Sequence, residues 1–303
     1  MKNKYMLNYL IRFFLGIRKK NFDSDNTADL INLNPSMNIK PIEKIIWIYW
    51  EGPISKFLED CLKKIQKLNT NYEVNILNDK NISHFSTIPY EDFGEISPQL
   101  KTDVLRLDLL YSYGGIWIDA SVILNENLNW IDEIIEKNST NAFGYYRSGN
   151  TTNFDFPVIE SWLLATSQSN PFFLAWKNEL IKAIKIGKLN YINEIKKENE
   201  KPEDYFQNIG DLEYLIIYVA CQVAMRKTKA SFTLINCDKN AFQFQTKNNW
   251  NTFKLCLDLG INYKPKNPPK LIKIIGTDRK ILEKIYDKSI YHKDSLLNFK
   301  YDC

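Results

Sequence analysis

Three charged side chains in residues 101–126, reading KTDVLRLDLLYSYGGIWIDASVILNE, are spaced so that one crevice can receive them all. Asp103 and Arg106 stand three positions apart in a run with helical spacing, which puts both on one helix face. Gly114-Gly115 ends that helix, as glycine does where a chain turns at positive φ. Ile116-Trp117-Ile118 reads as a short buried strand, and Asp119 follows at its carboxyl tip. Open α/β sheets bind ligands just beyond such tips. Two carboxylates and a guanidinium in one place suit a metal ion, a ribose or a diphosphate. The plainer alternatives are an intrahelical ion pair, worth about 0.2–0.5 kcal/mol, and an Asp that caps a strand-to-loop turn. The pair sits among Val104, Leu105, Leu107, Leu109 and Leu110, which favours a pocket over open water. Asp108 reads as facing solvent.

These side chains need a scaffold. The apolar run 44–49 suits a buried first strand, and period-two alternation puts Trp47 and Tyr49 on one face with Trp50 on the other. Helical spacing follows over 54–68, at Phe57, Leu58, Cys61, Leu62 and Ile65. Residues 72–77 alternate as a second strand. Strand, helix, strand, helix, strand is a βαβ series with right-handed crossovers. The fold class expected is therefore α/β, a Rossmann-type central sheet, mostly parallel, with added helices. Further on, 141–146 reads as a strand, and 172–184 and 212–225 as apolar helices. The Lys-, Glu- and Asn-rich stretch 185–204 reads as a solvated insertion or mobile loop. A late strand is expected over 271–275 and a helix over 279–286.

A chain of 303 residues with 44% hydrophobic and 14% aromatic content buries a substantial core and is no disordered segment. A net charge of +4, without a recognition motif or a basic stripe, excludes nucleic acid as partner. The cysteines, Cys61, Cys221, Cys237, Cys256 and Cys303, are scattered without CxxC spacing and read as reduced thiols of a cytoplasmic protein. With His84 and His292 the only histidines, a site with three histidine ligands is excluded. Residues 1–22 form a basic amphipathic segment too short to span a bilayer, suited either to an anionic membrane surface or to packing on the main domain. A polar linker is read over 23–40 and the catalytic domain over 41–303.

The run 101–126 resembles the signature of DxD-region glycosyltransferases with a GT-A fold, in which a (S/T)DxxR helix precedes GGxYxDxD. It is similar in particular to the capsular polysaccharide synthesis protein family, where the signature ends GGxWIDAT or nearly so; mannosyltransferase-like and clostridial-toxin-like enzymes are more distant relatives. The matching residues are Thr102-Asp103, Arg106, Gly114-Gly115, Trp117, Asp119, Ala120 and Ser121, with IIWIYWEGP (45–53) upstream. The likeness implies a GT-A-like fold and a nucleotide-sugar donor, a UDP-sugar by the Trp at position 50. In that family Asp119 would contact the donor ribose and help hold Mn²⁺ or Mg²⁺. Asp103 and Arg106 would bind the sugar and its diphosphate end. Trp50 would stack on the uracil, with Tyr49 in reserve. Ser121 stands where the general pattern has a second Asp, and a hydroxyl is the poorer metal ligand. His292 would return near the C-terminus as a last metal or phosphate ligand, or else is structural. Lys273 and Arg279, around Gly276-Thr277-Asp278, are within reach of the diphosphate or, as the favoured plainer reading, are solvated cations; 160–162 and 208–211 are read as acceptor-side loops.

The resemblance thus implies transfer of a hexosyl unit, with retention and a divalent metal, to a bacterial capsular or surface polysaccharide or a lipid-linked saccharide. The lack of a visible signal or spanning segment points to a cytoplasmic site, and the basic segment 1–22 to a peripheral place at the inner face of the membrane. Two other classes stay open: a nucleotide-sugar-binding protein without catalysis, suggested by Ser121, and a membrane-attached assembly subunit, suggested by the N-terminal segment.

Overall fold

The structure, a computed structural model, describes residues 3–26, 29–86 and 88–301. Cys303 lies outside them; Cys61, Cys221, Cys237 and Cys256 are free and buried. The chain opens with α1 (Asn3–Leu15), β1 (Ile31–Leu33), β2 (Ile45–Tyr49), α2 (Lys56–Leu68), β3 (Glu73–Leu77) and α3 (Pro98–Tyr113). There follow β4 (Gly115–Ile118), β5 (Val122–Leu124), α4 (Trp130–Asn138), β6 (Ala142–Tyr146), β7 (Ile159–Thr166) and α5 (Pro171–Ile186). The remainder is α6 (Lys188–Glu198), α7 (Glu203–Phe206), α8 (Ile216–Lys227), β8 (Phe232–Asn236), α9 (Gln243–Lys247), α10 (Thr252–Gly260), β9 (Leu271–Lys273) and α11 (Gly276–Asp287).

Seven strands form one sheet in the order β1-β8-β6-β7-β4-β2-β3. The pairs β2/β3, β2/β4 and β6/β8 are parallel, while β7 runs against both its neighbours and β1 against β8. Five of the seven strands therefore share one direction, and the mostly parallel α/β sheet expected from the βαβ order is the one found. The late strand β9 leaves this sheet and pairs antiparallel with β5.

Alternation along the central strands divides the core in two. Ile46, Ile48, Ile116 and Ile118 face a layer built on α2, α4, α10 and α11. Trp47, Tyr49 and Trp117 face the opposite layer, built on α3, α5, α6 and α8. A sheet covered on both faces has nearly continuous apolar strands, which is why β4 and β7 carry so few polar residues.

Two segments differ from their sequence reading. Residues 31–33, placed in a linker, pair as the edge strand β1, because the Ile31 and Leu33 side chains find apolar cover against the α5/α8 layer. The polar stretch expected to be a solvated loop folds as α6, since Tyr191, Ile192 and Ile195 make a buried stripe at helical spacing. Helix α1 is anchored through Tyr9, which is fully buried and donates its hydroxyl to the Ile290 carbonyl at 2.9 Å. Its other face, Leu7, Ile11, Phe14 and Leu15, is 59, 46, 77 and 69% exposed. Among the described residues no helix is long and apolar enough to cross a membrane.

Candidate active site

Helix α3 begins at Ser97, whose side chain accepts from the Leu100 N–H, with Pro98 in its first turn. It ends at Gly114, φ 69°, and the turn continues through Gly115, φ 91°. A Cβ at Gly115 would stand 2.5 Å from the Ile45 carbonyl oxygen, so only glycine lets β4 start this close to β2. The turn lays β4 alongside β2 and brings Asp119 to the carboxyl end of the sheet, where its N–H donates to the Trp162 carbonyl at 2.9 Å.

There the charges alternate. Asp103, almost wholly buried, pairs with Arg106 at 2.9 Å. Arg106 donates to the Ser161 hydroxyl and approaches Asp119 Oδ1 at 3.5 Å. The Trp117 indole, two residues before Asp119 on the same strand face, donates to the same oxygen at 3.1 Å. The other oxygen, Oδ2, receives Lys273 Nζ at 2.6 Å. Lys273 is only 7% exposed and also donates to Ser121 Oγ at 3.3 Å. Burial pushes the Asp103 carboxyl up to about 6, against the pull of Arg106. At Asp119 burial also pushes upward, but Lys273 and Arg106 outweigh it and hold the carboxyl below its ordinary range.

A crevice of about 520 Å³ opens over this row, lined also by Trp50, Glu160, Tyr218 and Arg279. Glu160 is buried, accepts from the Tyr218 hydroxyl at 2.9 Å, and is shifted upward by burial. Trp50 carries the Arg279 guanidinium 4.5 Å over its ring. Arg279 belongs to the first turn of α11, whose start has no side-chain cap and whose first residue, Gly276, lines the crevice. Such a helix end presents free N–H groups to an anion.

The structure thus brings Asp103, Arg106, Asp119, Trp50, Tyr49 and Ser121 to one crevice. His292 does not join them: it packs on Phe13 of α1 at 4.9 Å and donates its backbone N–H to Gly260, away from the crevice lining. Tyr49 is buried with its hydroxyl tied to Glu51 and Asp79, leaving Trp50 as the available ring. Asp108 is buried, not solvated, and joins Ser86 to Lys177. Residues 160–162 line the crevice from strand β7, not from a loop, while 208–211 lie outside the lining. Lys273, read as a solvated cation, is buried in the centre of the site. Its one sequence signal was a lysine inside the apolar run Leu271–Ile275, where a solvated charge is out of place.

The donor set does not suit the divalent ion expected of Asp119, Ser121 and His292. Both Asp119 oxygens already meet cationic or N–H donors. The Ser121 hydroxyl is spent on the Ile274 carbonyl at 2.9 Å. Among the described residues no three His, Cys, Asp or Glu side chains gather as a metal site.

Among curated proteins none matches the chain significantly. Solved structures do. "PaToxG Glycosyltransferase" is 15% identical, with 74% of this chain and 86% of that one covered and a TM-score of 0.40. A structure of an active-site mutant of LgtC is 10% identical, with 77% and 87% covered and a TM-score of 0.41. The apo-form glycosyltransferase GlyE of Streptococcus pneumoniae TIGR4 is 11% identical, with 84% and 65% covered and a TM-score of 0.40. Likeness of that degree leaves the functional reading to the crevice itself. The family model for capsular polysaccharide synthesis proteins matches residues 15–267, most of the chain and all of the α3–β4 unit, and the chain belongs to that family.

Proposed function

We propose that the protein is a glycosyltransferase that moves a hexosyl unit from a UDP-sugar to a growing capsular or surface glycan, with retention of anomeric configuration. The observation that carries this reading is the row Asp103–Arg106–Asp119 at the carboxyl end of β4, its first two members buried and Asp119 open to a crevice that also holds an indole and an uncapped helix start. Carboxylates accept from sugar diols, Trp50 gives a flat face to a pyrimidine, and Arg106 with the start of α11 meets the diphosphate. The remaining lining, Glu160, Tyr214 and Tyr218, is polar and aromatic and is left for the acceptor.

In this reading the bond from the anomeric carbon to the β-phosphate oxygen breaks, and its electron pair leaves with the diphosphate. The acceptor oxygen bonds that carbon on the face just vacated. Its proton passes to a phosphate oxygen. The protein positions both partners and neutralises the charge that builds on the leaving group.

Titration with UDP and a panel of UDP- and GDP-sugars, followed by transfer assays, tests the proposal. Asp119→Ala is expected to lower turnover by about a hundredfold or more, the scale of a lost transition-state contact in a dry site. Donor binding with no transfer to any glycan acceptor would establish the non-catalytic binding protein instead. Turnover within a few-fold of wild type in the variant would remove Asp119 from the mechanism.

The outward face of α1 supports a peripheral place on an anionic bilayer. Lys4, Lys19 and Lys20 are exposed around that face, and the first acidic residue in the chain is Asp23. Apolar side chains ringed by cations suit acyl chains below and phosphate headgroups above.

A further inference from the structure

Lys273 occupies the place between Asp119 and Ser121 that a divalent ion would need. Its ammonium is 2.6 Å from one and 3.3 Å from the other. The backbone holds it there: its N–H donates to Ala241 at 3.1 Å, its carbonyl accepts from Gln245 Nε2 at 2.6 Å, and the next residue donates to Ser121 at 3.0 Å. The side chain is buried, so it is no surface lysine folded inward by chance. Arg106 stands 3.5 Å from the other Asp119 oxygen, so a cation ligated there would meet positive charge on both sides. Arg279, over Trp50 and 3.5 Å from Glu283, completes a fixed set of positive groups around the crevice.

Resting on the donor-site reading proposed above, we infer that Lys273, with Arg106 and Arg279, binds the donor diphosphate and neutralises the leaving group in place of a divalent cation. Asp119 then orients Lys273 and faces the ribose; it is not a metal ligand. The protonated lysine lends its charge throughout and is not consumed, so the transfer needs no further reactant. Its stem is packed and its head already aimed, so little ordering remains when donor binds.

Calorimetric titration of metal-stripped protein with UDP and GDP, in EDTA and again in Mn²⁺, tests this in the full chain. Lys273→Met is run beside it, with the monophosphate of whichever nucleotide binds. Wild-type affinity should agree within about threefold between EDTA and Mn²⁺. Lys273→Met should weaken the diphosphate by about tenfold or more and the monophosphate much less, a split that loss of packing does not produce. Binding that is lost in EDTA and restored by Mn²⁺ would overturn the inference and leave the donor site standing. Equal loss of mono- and diphosphate in a folded variant would overturn it too. If Lys273→Met does not fold, the wild-type comparison still decides. No nucleotide bound in either buffer would overturn the donor-site reading itself and this inference with it.

Discussion

Asp103 and Asp119 share Arg106 yet shift in opposite directions, and the difference has a measurable consequence. Asp103 is raised by burial to about 6, above its ordinary value of roughly 3.9. The unfolded chain therefore releases this proton first, and the group's contribution to stability falls as pH rises from about 4 to about 6. Asp119 is lowered, so its contribution is present above the ordinary carboxylate value and is lost as pH falls through its folded value. If donor binding uses the ionised Asp103, kcat/KM should drop below an apparent pKa near 6. Asp103→Asn should abolish that acid limb and lower activity by about tenfold or more, with the melting temperature at neutral pH held or raised. A pH–rate profile with the same limb in the variant would assign it elsewhere. These residues were legible because they are local: a helix face, a glycine turn and a strand tip within one short run. The contacts of Lys273 and Ser161 with this group were not, although both residues had been singled out, because they come to Asp119 and Arg106 from 154 and 55 residues away. No spacing rule connects residues at that separation.

The elements show the same division between near and far. Helices α2, α3, α5 and α11 were readable from apolar spacing and the end of α3 from Gly114-Gly115, all local signals. Strand β7, IESWLLAT, is buried on both faces and lacks alternation, so its pattern does not distinguish strand from buried helix. It is also the strand that reverses direction and carries Glu160 and Ser161 into the crevice. Helix α6 was hidden by its charged outer face, though its buried stripe is short and regular. The turn from α3 into β4 is the least forgiving joint. Gly115→Ala places a Cβ against the Ile45 carbonyl at positive φ, and urea unfolding should show a loss of about 2–3 kcal/mol or more. Near-wild-type stability would mean that β2 can move away from β4. Helix α1 tolerates change on its outer face, since the side chains there are mostly exposed. Leu7→Ser with Phe14→Ser should leave the melting temperature unchanged while lowering co-sedimentation with phosphatidylglycerol vesicles by about tenfold. Equal binding of wild type to neutral phosphatidylcholine vesicles would remove the electrostatic part of that proposal.

On the scale of the whole molecule, the sheet separates two cores, and the site lies where the parallel strands β2 and β4 end and the reversed β7 begins. The parallel strands β2 and β4 supply Trp50 and Asp119, the reversed β7 supplies Ser161, and β9, outside the main sheet, supplies Lys273. The pairing of Asp119 with Lys273 has a further consequence for how the chain is made. Synthesis runs from the N-terminus and domains begin to fold as they emerge. Asp103, Arg106 and Asp119 are therefore all translated while Lys273, 154 residues after Asp119, is not. A nascent chain halted before Lys273 would hold Asp119 beside Arg106 with one of its two cationic partners missing. On the role inferred for Lys273, the site becomes competent only after the last segment has left the ribosome.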